Sequence, residues 1–167
     1  METTVITSEY LLEVAKNTIE AVEYCFLITL SESGQANARL IQHFKPNADM
    51  TIWIGTSPKT RKVHEISNDN RVTVTFQDDK EYTYVTLLGL ASVETDLSER
   101  QRYWHEDSIA YFPEGSQGDD YVVIKFVPSQ IELMNFARNI VPKPFGLLPA
   151  VLVKAGESWV IESNNLK

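Results

Sequence analysis

The sequence predicts a mainly β protein, an antiparallel barrel with flanking helices. Short apolar or alternating runs recur along the 167 residues, separated by connections too short for a parallel crossover. The run Arg71-Val72-Thr73-Val74-Thr75-Phe76 alternates with period two, placing Val72, Val74 and Phe76 inward and Thr73 and Thr75 outward. Few segments carry helical spacing. Many antiparallel strands with few helices mean a barrel or a sandwich, and closure favours the barrel because it removes exposed edges.

Taken in order, Leu11, Leu12, Ala15, Ile19 and Val22 recur at helical spacing and predict a helix from about Ser8 to Ala21 within the N-terminal segment 1–22. Residues 24–30 form a near-continuous apolar strand, closed by the turn Ser31-Glu32-Ser33-Gly34-Gln35. Strands at 36–44 and 50–55 should complete an antiparallel meander with it. A basic helix is expected over 60–68, then the alternating strand from Arg71 and a polar turn at 77–81. The long strand 82–94 contains Gly89, where a bulge is expected. Asp96, with Glu99 three residues on, reads as the capping box of a helix reaching Tyr103. Residues 112–118 form a loop. Strands at 121–127 and 130–136 are separated by Pro128-Ser129, and a hairpin around Gly156 closes the chain. The size fits one domain spanning 1–167, with 137–167 as a C-terminal extension that suggests no function of its own.

Composition narrows the function. Fifteen Lys and Arg against 23 Asp and Glu leave a net charge of −8, which argues against a nucleic-acid or anionic-membrane surface. No apolar run approaches a membrane span, and no basic start with an apolar stretch marks a signal peptide. A soluble, cytoplasmic protein is expected. Cys25, the only cysteine, sits in an apolar strand and suits a small buried hydrophobe. With one cysteine and His43, His64 and His105 far apart, no metal site is expected. The usual nucleotide, hydrolase and zinc-protease motifs are absent.

Against that acidic background one segment stands out. Gly55-Thr56-Ser57-Pro58-Lys59-Thr60-Arg61-Lys62 packs three hydroxyls and three cations where a strand gives way to a helix. Hydroxyls and free N–H groups at a helix start, with Arg and Lys beside them, suit a phosphate. A solvated turn with a basic helix face is the competing reading. Arg39, inside an otherwise apolar strand, fits either a ligand contact or the strand's polar face. Tyr84 likewise fits packing on its strand.

The order of these pieces resembles the pyridoxamine 5′-phosphate oxidase-like flavoproteins, the FMN-binding split barrels, and is most similar to their general-stress-protein branch. The resemblance covers residues 23–135. It rests on Ala38-Arg39-Leu40-Ile41, on Gly55-Thr56-Ser57 with Thr60-Arg61-Lys62, and on Asn68-Asp69-Asn70-Arg71-Val72. Tyr84-Val85-Thr86-Leu87-Leu88-Gly89, Trp104, Phe112-Pro113-Glu114-Gly115 and the strand from Val122 extend it. It implies a homodimer with FMN at the subunit interface. Arg61, Lys62 and Thr56 or Ser57 would grip the phosphate, with Arg39 contributing from its strand. Leu40, Ile41 and Gln42 would line the isoalloxazine, and Tyr84 would contact flavin from a partner strand or subunit. The implied function is an FMN-dependent oxidoreductase acting on a small molecule, with a stress-related role implied by the general-stress-protein branch. A non-enzymatic flavin carrier or sensor, or a split barrel holding haem or a deazaflavin, stands beside it. No catalytic acid or base is evident. Met134 occupies the position of a tryptophan in the true oxidases, and their distal Arg-and-His substrate motif has no counterpart here, which counts against vitamin B6 oxidation.

Overall fold

The computed structural model describes residues 6–140 and 148–162. Helix α1 (Ser8–Ala21) starts at Thr7, whose side chain accepts from the Tyr10 N–H, and buries Leu11, Val14, Ala15 and Ile19. The strands are β1 (Tyr24–Leu30), β2 (Ala36–Gln42), β3 (Ile52–Thr56), β4 (Arg71–Asp78), β5 (Thr83–Glu94), β6 (Val122–Asn135), β7 (Ala150–Ala155) and β8 (Ser158–Ile161). Helix α2 (Arg61–Asn68) follows β3, and α3 (Leu97–Arg102) follows β5.

One antiparallel sheet holds all eight strands, in the order β2-β1-β4-β5-β6-β7-β8, with β3 joined to β6. The inward residues of β4, Val72, Val74 and Phe76, meet Leu27, Ile54, Val85, Leu87, Ile124 and Leu133 in one core. The alternation read from Arg71 onward is therefore the inside–outside pattern of a curled sheet. No helix among the described residues is long and apolar enough to cross a membrane.

Three local expectations change. The meander stops after two strands: β1 pairs β2 throughout, but β3 pairs the N-terminal half of β6, with Ile54 opposite Ile124. β3 is buried along nearly its whole length, with Ile52, Trp53 and Ile54 all enclosed, so it needs cover on both faces. β2 and β3 meet only at a seam, where the Phe44 N–H donates to the Trp53 carbonyl at 3.0 Å.

The strands expected on either side of Pro128 are one strand. β5 and β6 shift register where Leu88 faces Gln130 and Gly89 faces Pro128, which leaves Ser129 unpaired as a bulge. A proline without an N–H is tolerated there because the ladder is already interrupted. Asp96 is the N-cap of α3 as expected, but Glu99 does not complete a capping box. The Asp96 carboxylate accepts from the Ser98 N–H and hydroxyl, while a buried oxygen of Glu99 has no partner. The closing hairpin forms as expected, β7 pairing β8 and β6.

Candidate functional site

The turn after β3 delivers α2 at the β2–β3 seam. Thr60 occupies the N-cap position, but its hydroxyl donates back to the Ser57 carbonyl at 2.9 Å and makes no cap bond to the helix. No acidic residue stands in the first turn. The start of α2 therefore offers N–H groups with neither a side-chain cap nor a nearby carboxylate on its own first turn.

Lys62 lies beside this helix start. It is half-buried and forms no ion pair among the described residues. Burial, and then the nearby Arg39 guanidinium, hold its ammonium below the usual lysine range. A partly desolvated cation next to a second cation is costly unless an anion joins it.

Arg39 and Arg61 converge on Glu65, a carboxylate only 4% exposed. Arg39 Nη2 donates to Glu65 Oε2 at 3.1 Å, and Arg61 Nε stands 3.5 Å from Oε1. Asn37 Nδ2 donates to Oε1 at 2.7 Å, and the Thr29 hydroxyl donates to Oε2. Arg39 Nη1 donates to Thr29 Oγ1 at 2.6 Å and to the Leu27 carbonyl at 3.3 Å. Burial pushes the Glu65 carboxyl up, but the bonds from Thr29, Asn37 and Arg39 outweigh it and hold the group below its usual range.

A cleft of about 170 Å³ opens at the seam, lined by Ile41, Gln42 and Phe44, by Gly55 of β3, by Lys62, and by Tyr121 with the segment carrying His105 and Phe112. The Phe44 and His105 rings stack at 4.1 Å, and among the described residues His105 Nε2 is buried with no partner. A groove of about 610 Å³ continues from it, sharing Gln42, Phe44 and His105 and reaching Lys45, Arg102 and Tyr103.

Ile41, Gln42 and Lys62 thus meet in one cleft, and Arg39 and Arg61 meet behind it. Thr56 is buried at the end of β3 opposite Val122. Ser57 Oγ accepts from the Lys59 N–H within the turn. Leu40 and Tyr84 lie elsewhere. Leu40 is 58% exposed on the outer face of β2, beside Phe26, and Tyr84 sits three strands away on β5, opposite Gln77 and Met134. Neither reaches the cleft within this chain. The sequence reading missed Glu65, Thr29 and Asn37. The available signal was a lone carboxylate four residues after Arg61 in a cationic helix. It also missed the Phe44–His105 stack, which no sequence spacing foreshadows.

A family model described as "Pyridoxamine 5'-phosphate oxidase like" matches residues 12–159. The chain belongs to the pyridoxamine 5′-phosphate oxidase-like family. It is 26% identical to general stress protein 26 of Bacillus subtilis over 107 residues, covering 62% of this chain and 74% of that protein. Among solved structures, a protein related to general stress protein 26 from Clostridium acetobutylicum aligns with a TM-score of 0.69 at 21% identity, over 79% of this chain and 92% of that one. A pyridoxamine 5′-phosphate oxidase-related, FMN-binding protein from Nostoc punctiforme aligns over 96% of this chain and 98% of its own, with a TM-score of 0.64 and 11% identity. A haem-binding protein from Mycobacterium smegmatis aligns with a TM-score of 0.56 at 20% identity, over 72% and 52% of the two chains. At these identities the structural matches establish the fold alone, a split β-barrel; of the two last-named proteins, the Nostoc one binds FMN and the Mycobacterium one binds haem.

Proposed function

We propose that the protein binds FMN in the seam cleft and uses it as an oxidoreductase on a small molecule. The observation that carries this reading is Lys62, a half-buried cation without an ion pair at the uncapped start of α2. A phosphate group supplies the missing anion and accepts from the free N–H groups. Ile41 and Phe44 offer apolar surface to a ring system, and Gln42 a polar side chain for its rim. The residues present therefore fit the group. When bound, FMN supplies the redox chemistry, and the chain supplies binding, orientation and exclusion of water.

The reading includes a homodimer. Tyr24, Phe26 and Leu40 are 50%, 46% and 58% exposed on one contiguous outer face of β1 and β2, an apolar surface suited to a second copy. Tyr84 shares that outer face of the sheet and reaches flavin only as a residue of such a partner. The general-stress-protein relatives are the support for a stress-related role.

Titration with FMN and riboflavin tests the phosphate site. Wild-type protein should prefer FMN, and the double variant Arg61→Ala, Lys62→Ala should lose that preference while keeping its riboflavin affinity. Equal losses for both ligands would place the phosphate elsewhere. Oxidation of NADH or NADPH by the loaded protein separates an enzyme from a flavin carrier or sensor. One observation favours haem as the second reading: among the described residues His105 Nε2 is buried and unpartnered on the cleft wall, and an imidazole nitrogen there could hold the iron of a haem. A Soret band in the purified protein, in place of flavin absorbance, would decide for it.

A further inference from the structure

We infer that Glu65 is a positioning residue of the anion site, the carboxylate that aims Arg39 and Arg61 for the cofactor phosphate. This rests on the reading above that a phosphate binds at the start of α2.

The geometry is specific. Glu65 belongs to α2, yet its oxygens accept from the Thr29 hydroxyl of β1 and from Asn37 and Arg39 of β2, and they form an ion pair with Arg61 one turn earlier on its own helix. Its side chain is 5% exposed and that of Arg39 19%, whereas Arg61 is 66% exposed. Arg39 is therefore clamped, and Arg61 is tethered but free to face a ligand. Thr29 completes the arrangement with one hydroxyl, which donates to Glu65 Oε2 and accepts from Arg39 Nη1.

Two consequences follow from that pattern. Arg39 and Arg61 can share one corner of the protein before any ligand arrives because Glu65 supplies their counter-charge, which leaves Lys62 to the ligand. Their side chains are also ordered in advance, so a phosphate binds without first immobilising long cationic chains. The carboxylate lies behind the cations, its oxygens held by three hydrogen-bond donors and the Arg61 ion pair, and acts on the ligand through the arginines.

Glu65→Gln probes this sharply. Each carboxylate oxygen faces only donors, Asn37 and Arg61 on one side and Thr29 and Arg39 on the other. Whichever way the amide turns, its NH2 group confronts donors, and the arginines lose their anchor. Thr29→Val is the gentler companion, isosteric and buried, and removes only the bridging hydroxyl.

The experiment is a fluorescence titration of wild type and both variants with FMN and with riboflavin, each protein checked by its melting curve. FMN affinity should fall about tenfold in Glu65→Gln, the loss of roughly one charge-assisted contact, and by less in Thr29→Val. Riboflavin affinity should hold within about twofold, a split that a merely structural role would not produce. Unchanged or tighter FMN binding in Glu65→Gln overturns the inference, as do equal losses for both ligands. If that variant does not fold, a phosphate-specific loss in Thr29→Val sustains the inference, and its absence overturns it. A wild-type protein that binds riboflavin as tightly as FMN removes the phosphate site itself. A wild-type preference for FMN that both variants retain removes only the role of Glu65.

Discussion

In the proposed FMN site, phosphate binding turns on Lys62, and the protonation of that lysine should make the site pH-sensitive. In the free protein, burial and Arg39 depress its pKa, and a bound phosphate raises it again by favouring the charged form. The complex thus holds more protons than the free protein at alkaline pH. FMN affinity should fall as pH rises through the lowered lysine pKa, at a lower pH than an ordinary lysine would allow. Lys62→Met should weaken FMN by about 10- to 100-fold at neutral pH, from roughly 1.5–3 kcal/mol for a charge-assisted contact. It should also abolish the alkaline decline. An alkaline limb that persists in Lys62→Met would assign the titration to another group. Gly55 serves the same corner by being small. A Cβ there would overlap the ring of Tyr121, whose hydroxyl donates to the Tyr103 carbonyl and whose side chain is fully buried. Gly55→Ala should cost about 1–3 kcal/mol of stability, read as a lowered denaturation midpoint. The positions of Arg61 and Lys62 were legible in the sequence because hydroxyls and cations at a strand–helix junction have a local meaning. Glu65 was not, because its partners Thr29, Asn37 and Arg39 lie 36, 28 and 26 residues away.

Elements form from local pattern, but their pairing depends on which edges are free. The 3.6-residue spacing placed α1, and the period-two alternation placed β4, within a residue or two of their ends. The partner of β3 escaped that logic, since a short turn to β2 allowed a hairpin while burial of both β3 faces required the edge of β6. The β5–β6 bulge shows the converse, because Gly89 announced it. The α-carbon of Gly89 approaches the Val127 carbonyl and Pro128 backbone so closely that a Cβ would overlap both. Neither is the yielding end of a side chain. Gly89→Ala should therefore destabilise the fold by about 2–3 kcal/mol, several degrees in melting temperature. Pro128→Ala, which restores an N–H at a position already out of register, should change it far less. Equal effects in the two variants would show that the close approach is not what the bulge depends on.

At the scale of the whole molecule, the outer face of β1 and β2 and the seam cleft set what the protein can assemble with and act upon. Phe26 faces Leu40 and Thr75 across the ladder, on a sheet surface that α1 does not cover. Phe26→Asp places a charge at the centre of that surface and should convert a dimer to a monomer in light scattering at micromolar concentration. A wild-type monomer with flavin present would remove the partner from the reading. The remaining prediction concerns substrate: the FMN-loaded protein should not oxidise pyridoxamine or pyridoxine 5′-phosphate at an enzyme-like rate. Such a substrate brings its own phosphate, which needs a cationic clamp separate from the one at α2. Met134, at the tryptophan position of the true oxidases, is buried on β6 opposite Tyr84 and offers no charge. Arg138 is the cation near the end of that strand, and it is already bound to both carboxylate oxygens of Glu81 at 3.1 Å. That pairing lowers the Glu81 pKa, chiefly through the Arg138 bond, so releasing Arg138 to a substrate would forfeit an existing ion pair. Lys143, a further cation in this part of the sequence, lies outside the described residues. Lys45 and Arg102 line the open groove beside the cleft, but Glu20 and Glu23 line it too, so a phosphate dianion meets carboxylates as well as cations there. Steady formation of pyridoxal 5′-phosphate in an aerobic assay, abolished by Lys45→Ala with Arg102→Ala, would show that the groove supplies the missing clamp and would overturn the prediction.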